Sequence, residues 1–187
     1  MVETLEEVND ILSADERVNK KKEELRRIMY CLRNVPVSGA IPNVYAEAAL
    51  LYAMVKESDM GLPAVFYLTG KLMTTIRDTE GGWFSYGHSE YSQEFVKEFA
   101  ELLGDDVDVD RICLIIDSID SYINLHKFNA QDSHALMMKL SNPDVLEAVH
   151  YISESLEGLE ETFETLNKKQ RKDIYRDFRN FIRQYTK

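Results

Sequence analysis

The sequence has little of what marks a specialised chain. Only 8 glycines and 4 prolines occur in 187 residues, which excludes collagen-like and low-complexity classes. Its two cysteines, Cys31 and Cys113, make neither a CxxC pair nor a disulfide framework. Each sits in an apolar helical pattern, as free buried thiols of a reducing compartment do. Long hydrophobic runs are missing too, since stretches such as Ala48 to Val55 and Ile112 to Ile116 fall far below the roughly 18 residues a membrane span needs. The opening Met1-Val-Glu-Thr-Leu-Glu-Glu7 is acidic where a secretory signal would be basic, so a cytoplasmic, unprocessed chain is expected. No Walker A loop, dinucleotide-binding glycine motif, GxSxG elbow or Cys/His nucleophile signature is present, and catalysis has no motif behind it.

What is there is an ordinary globular composition, 44% hydrophobic and 29% charged, on a chain long enough to bury roughly 70% of its unfolded surface. The net charge of −11 is unevenly spread. Residues 80–166 hold 19 acids and 4 bases, a net of −15, whereas residues 167–187 hold 2 acids and 8 bases, a net of +6. A body charged this way repels phosphate backbones and anionic lipid, and it speeds encounter with basic proteins. That argues against generic nucleic-acid binding.

Apolar periodicity is helical nearly everywhere, and no strand is expected. An opening amphipathic helix carries Leu5, Val8, Ile11 and Leu12, and Ser13-Ala-Asp-Glu16 is a capping box that starts the next near Ala14,. Residues 44–55 are so apolar that only a central helix suits them. Gly61-Leu-Pro63 restarts the chain with Phe66, Leu68, Leu72, Met73 and Ile76 expected inside, and Gly70 allows a close helix contact,. Asn129, Asn142-Pro143 and Asn167 are helix starts, and Gly104 and Gly158 are breaks. These readings give one all-α domain, a bundle of about eight to ten helices.

Two acidic pairs, Glu98-Phe-Ala-Glu101 and Asp117-Ser-Ile-Asp120, stand fifteen residues apart. Carboxylates on facing helices can hold magnesium, a cation of hard oxygen ligands. The spacing resembles the ExxE then ExxD pattern of the all-α nucleoside triphosphate pyrophosphatases, with Asp117 where that family has Glu. The resemblance covers about 50 residues and implies a magnesium-dependent hydrolase with Glu98, Glu101, Asp117 and Asp120 as ligands. Helical geometry by itself turns Asp117 and Glu101 toward water. Glu147-Ala-Val-His150 has the ExxH spacing of carboxylate-bridged di-iron bundles, without a second copy,.

Residues 79–89 break the helical pattern and hold the only tryptophan. Trp83, Phe84, Tyr86 and His88 read as a plug folded back onto the bundle, as a partner-binding loop, because rigid rings bury much surface at small entropic cost, or as the wall of a ligand pocket. In the last helix, Lys172, Arg176, Arg179 and Arg183 form a basic stripe of the kind that lies on a membrane or grips nucleic acid; the favoured expectation is a hairpin that sets it beside Glu154, Glu157, Glu161 and Glu164. The functional expectation is an acidic helical module that engages a basic protein surface, as an inhibitor, immunity, anti-defence or regulatory factor would. It needs no cofactor; magnesium enters only with the hydrolase alternative.

Overall fold

The computed structural model describes residues 14–187, so the expected opening helix and the Ser13 hydroxyl lie outside it. Among the described residues the architecture is the all-α bundle expected, with eleven α-helices and one two-stranded sheet. The helices are α1 (Ala14–Cys31), α2 (Val44–Val55), α3 (Gly61–Thr69) and a single turn α4 (Lys71–Thr74). After the strands β1 (Thr75–Arg77) and β2 (Trp83–Ser85) come α5 (His88–Glu98), the short α6 (Ala100–Leu103) and α7 (Val109–Ile123). The series closes with α8 (Ala130–Lys139), α9 (Pro143–Glu157), α10 (Leu159–Thr165) and α11 (Lys168–Thr186). Three expected helices are each divided, at Gly70, Phe99 and Gly158, which accounts for the larger number.

Side-chain caps set the starts. Asn142 accepts from Asp144 N at 2.9 Å with Pro143 in the first turn, and Asn167 and Gln170 form a capping box that opens α11. Each satisfies backbone donors that a helix start otherwise leaves orphaned. Helix α2 occupies the centre, with Val44, Ala48, Ala49 and Leu51 fully buried, because α3, α9 and α11 all pack against it. A helix covered on so many sides needs no polar face. Helices α3, α5, α7 and α9 are packed in succession, each against the next. No described helix is long and apolar enough to cross a membrane.

Gly70 makes the α3–α5 contact as close as it is. A Cβ at this position would run into the carbonyl oxygen of His88 and lie 2.6 Å from Ser92 Oγ. Ser92 Oγ accepts from Gly70 N at 3.0 Å and donates to Tyr67 O at 2.8 Å, so the buried hydroxyl stitches α5 to the end of α3.

Three expectations are corrected. Residues 75–77 and 83–85 form an antiparallel hairpin, where no strand was expected, and Met73 and Ile76 are exposed rather than buried. The helix ends at Thr74, so the 3.6-residue spacing that placed Ile76 inside no longer applies to it. The basic stripe of α11 does not lie along the acids of α9 and α10. Helix α11 packs on α2 and α1 instead, and the apolar side explains why: Phe178 and Phe181 meet Tyr45 and Tyr52 of α2 at centroid distances of 5.1 and 4.4 Å. Burying one such ring is worth ~2–3 kcal/mol, against a few tenths for an exposed ion pair. The aromatic contacts therefore decide the orientation.

Candidate functional site

Among the described residues, the hairpin and the turns that flank it carry Met73, Ile76, Trp83, Phe84 and Tyr86 as exposed large apolar side chains. The hairpin's five-residue turn is wound around Asp78, whose Oδ1 accepts from Glu80 N at 2.9 Å and Gly82 N at 2.7 Å. Gly81, at φ 92°, takes the left-handed position that costs a residue with a Cβ steric strain. Pairing sets Ile76 opposite Phe84, and Arg77 opposite Trp83. Because side chains alternate across a strand, Ile76 and Phe84 share one face while Trp83 lies on the other. The Arg77 guanidinium sits 5.7 Å from the centre of the Trp83 ring, within cation–π range.

The hairpin is held to the body. Ser38 Oγ accepts from Trp83 N at 2.8 Å and donates to Trp83 O at 3.0 Å, covering the outer edge of β2. At the other end Thr75 Oγ1 and Ser85 Oγ are 2.6 Å apart, and Thr75 also donates to Lys71 O at 2.7 Å. Trp83 is 37% exposed, Phe84 40% and Tyr86 85%, so these rings do not plug the bundle. Met73 and Ile76 are exposed as well. They escape a reading by composition because their spacing continues the α3 stripe.

His88 is placed differently from the three rings it was grouped with. It is buried, its imidazole edge against the Tyr67 ring at 4.7 Å. Neither ring nitrogen has a well-formed hydrogen bond among the described residues. Around it lie the Glu47–Lys71 ion pair, with contacts of 2.7 and 2.9 Å, and Asp120, which accepts from the Tyr67 hydroxyl. Burial pushes the histidine below its ordinary pKa of 6.5; Asp120 opposes the shift and Lys71 reinforces it. The folded chain thus refuses a proton that the unfolded chain accepts. Stability should be full above about pH 6.5, fall as the pH drops below it, and lose the whole contribution only below the folded pKa. Thermal melts of wild type and His88→Leu across about pH 7 to pH 5 check this: the wild type should lose midpoint on acidification and the variant should lose less. Parallel curves would show that the imidazole is not the titrating group.

The four carboxylates of the pyrophosphatase-like pattern are not brought together. Glu98 and Glu101 are exposed and share Lys21 at 3.6 and 3.7 Å. Asp117 pairs with Lys139 at 2.8 Å, and Asp120 is taken by Tyr67. Among the described residues no group of three or more histidine, cysteine or acidic side chains is arranged to hold a metal ion. Glu147 and His150 are exposed, and His150 lies 3.0 Å from the Tyr122 hydroxyl and 3.4 Å from Glu154, so the ExxH pair is a surface feature.

Family models, curated proteins and solved structures yield no match to this chain.

Proposed function

We propose that this protein is a binding module that docks on a basic protein partner, with the β1–β2 hairpin as its anchor. The observation that carries the reading is the hairpin itself: Ile76, Trp83, Phe84 and Tyr86 stand exposed on a segment held by Ser38 at Trp83 and by Thr75 on Lys71 O. Exposed rings on a pre-ordered support lose little entropy on docking, which is why aromatic anchors dominate interface energies. The −15 carried by residues 80–166 supplies the complementary field, and a basic partner would be drawn in by it. An inhibitor, an immunity or anti-defence factor, and a regulatory subunit all act by such occupation of a charged surface.

The experiment is recovery of a stoichiometric basic protein from the native host, followed by binding kinetics. Trp83→Ala should weaken the complex by about 2 kcal/mol, mainly through faster dissociation, and Tyr86→Ala, at an 85% exposed ring, should weaken it with the melting temperature unchanged. Salt should slow association far more than it changes release, since a Debye length of about 4 Å near 0.5 M screens the encounter. A partner that binds Trp83→Ala and Tyr86→Ala as tightly as wild type would remove the hairpin from the interface.

A further inference from the structure

The side of α11 next to α1 carries a groove that the hairpin does not use. Two adjoining cavities of about 710 and 170 Å³ share Arg33, Tyr45 and Arg179 and run along α11. Their walls hold six cations, Arg26, Arg33, Lys172, Arg176, Arg179 and Arg183, against a single carboxylate, Asp173. Asp173 is committed to Arg176 at 2.8 Å, and Asp177 also reaches Arg176, at 3.5 Å. Arg26 donates to Thr186 O. Arg33 lies over the rings of Tyr30 and Tyr45, at 5.1 and 4.5 Å. Among the described residues Lys172, Arg179 and Arg183 have no carboxylate partner. In a chain of net charge −11, so many cations gathered round a cavity repel one another, and an anion between them relieves the repulsion.

A second observation is independent of charge. Tyr45 is only 6% exposed and lines both cavities, yet its hydroxyl has no hydrogen-bond partner among the described residues. Buried hydroxyls are nearly always paired; the Arg33 guanidinium lies over this ring, and its swing toward a bound anion would open the hydroxyl to a partner in the groove.

The ligand class follows from the lining. Guanidinium forks match phosphate oxygens in bidentate fashion, and the exposed Tyr30 ring offers a flat face on which a base can stack,. The larger cavity is within the ~300–1,000 Å³ of small-molecule sites. A long nucleic-acid strand fits less well, because beyond the groove it meets the −15 of residues 80–166,. We propose that the α1/α11 groove binds a nucleoside di- or triphosphate, with Lys172, Arg33, Arg179 and Arg183 on its phosphates and Tyr30 and Tyr45 beside its nucleoside. This site is separate from the hairpin and stands or falls without it.

Isothermal titration of the full chain with ATP, tripolyphosphate and a single-stranded oligothymidylate tests it. ATP should bind saturably with a Kd below about 1 mM. Arg179→Gln/Arg183→Gln alters exposed side chains and should weaken ATP by at least about tenfold with the melting temperature unchanged. Tyr45→Phe keeps the ring against Phe178 and should weaken ATP several-fold. Lys139→Gln, which removes a cation paired with Asp117 on α7, should leave binding as it is. The proposal is overturned by no ATP binding up to that concentration, by equal binding in the arginine double variant, or by an equal loss in Lys139→Gln. Tripolyphosphate bound as tightly as ATP, or oligothymidylate bound more tightly through the same arginines, would also overturn the nucleotide assignment.

Discussion

Gly70→Ala is expected to destabilise the protein by about 3 kcal/mol, although local backbone preference predicts the opposite sign. Gly70 has φ −62° and ψ −21°, an ordinary helical conformation, where alanine should gain up to ~1 kcal/mol over glycine. Sterics reverse this. The added methyl would meet the His88 carbonyl and Ser92 Oγ, and the first of these is backbone at the start of α5, which cannot swing aside. Helix α5 must move away from α3, breaking the Gly70–Ser92–Tyr67 bonds and shifting the base of the hairpin. Gly158→Ala is the matched comparison, also helical in φ but with its nearest neighbours 3.7 Å away. Urea denaturation should show a clear drop in midpoint for the first and none for the second. Equal midpoints would mean that α3 and α5 are not in the close contact described.

Phe178→Ala should cost about 3–5 kcal/mol, the range for deleting a fully buried ring,. The ring fills the space between α11 and α2, with Tyr45 at 5.1 Å, Tyr52 at 6.0 Å and Phe181 at 6.4 Å. None of those neighbours can collapse into the gap without leaving its own contacts. Since domains of this size hold only about 5–15 kcal/mol in total, α11 should loosen first, and ATP binding at the α1/α11 groove should weaken along with stability. Chemical denaturation with hydrogen exchange resolved by segment checks both parts. Uniform protection loss across the chain, rather than loss concentrated in 168–186, would show that α11 is no less firmly held than the rest.

The helix starts were legible because they are local. Asn142-Pro143 and the Asn167/Gln170 pair act on backbone groups within three residues, so their effect does not depend on what packs above them,. The centrality of α2 was legible for a similar reason, since a helix with no polar face can sit nowhere else. The hairpin was not: three-residue strands are too short to show an alternation, and Ile76 continues the spacing of Leu72 and Met73 as if still helical. The neighbours of α11 could not be read either. The basic stripe matched the glutamates of α9 and α10 in sign, but partners on α2 that lie more than 120 residues earlier in sequence leave no periodic trace. Of the candidate site, Trp83, Phe84 and Tyr86 were visible as a cluster of rings in a glycine-rich break. Met73, Ile76 and the burial of His88 were not, because each depends on where the chain turns.

The docking of α11 on α2 also has a consequence for how the protein is made. Lys56 at the end of α2 bonds Asp177 of α11 across 121 residues of sequence. At the elongation rates of cells, the stretch between them takes on the order of ten seconds to emerge. Throughout that interval the Tyr45 and Tyr52 face of α2 has been synthesised but has nothing to cover it, however early α2, α3 and α5 associate. A nascent chain halted before residue 168 is thus a half-clad bundle, presenting two adjacent tyrosines to any chaperone or to a neighbouring nascent chain on the same message.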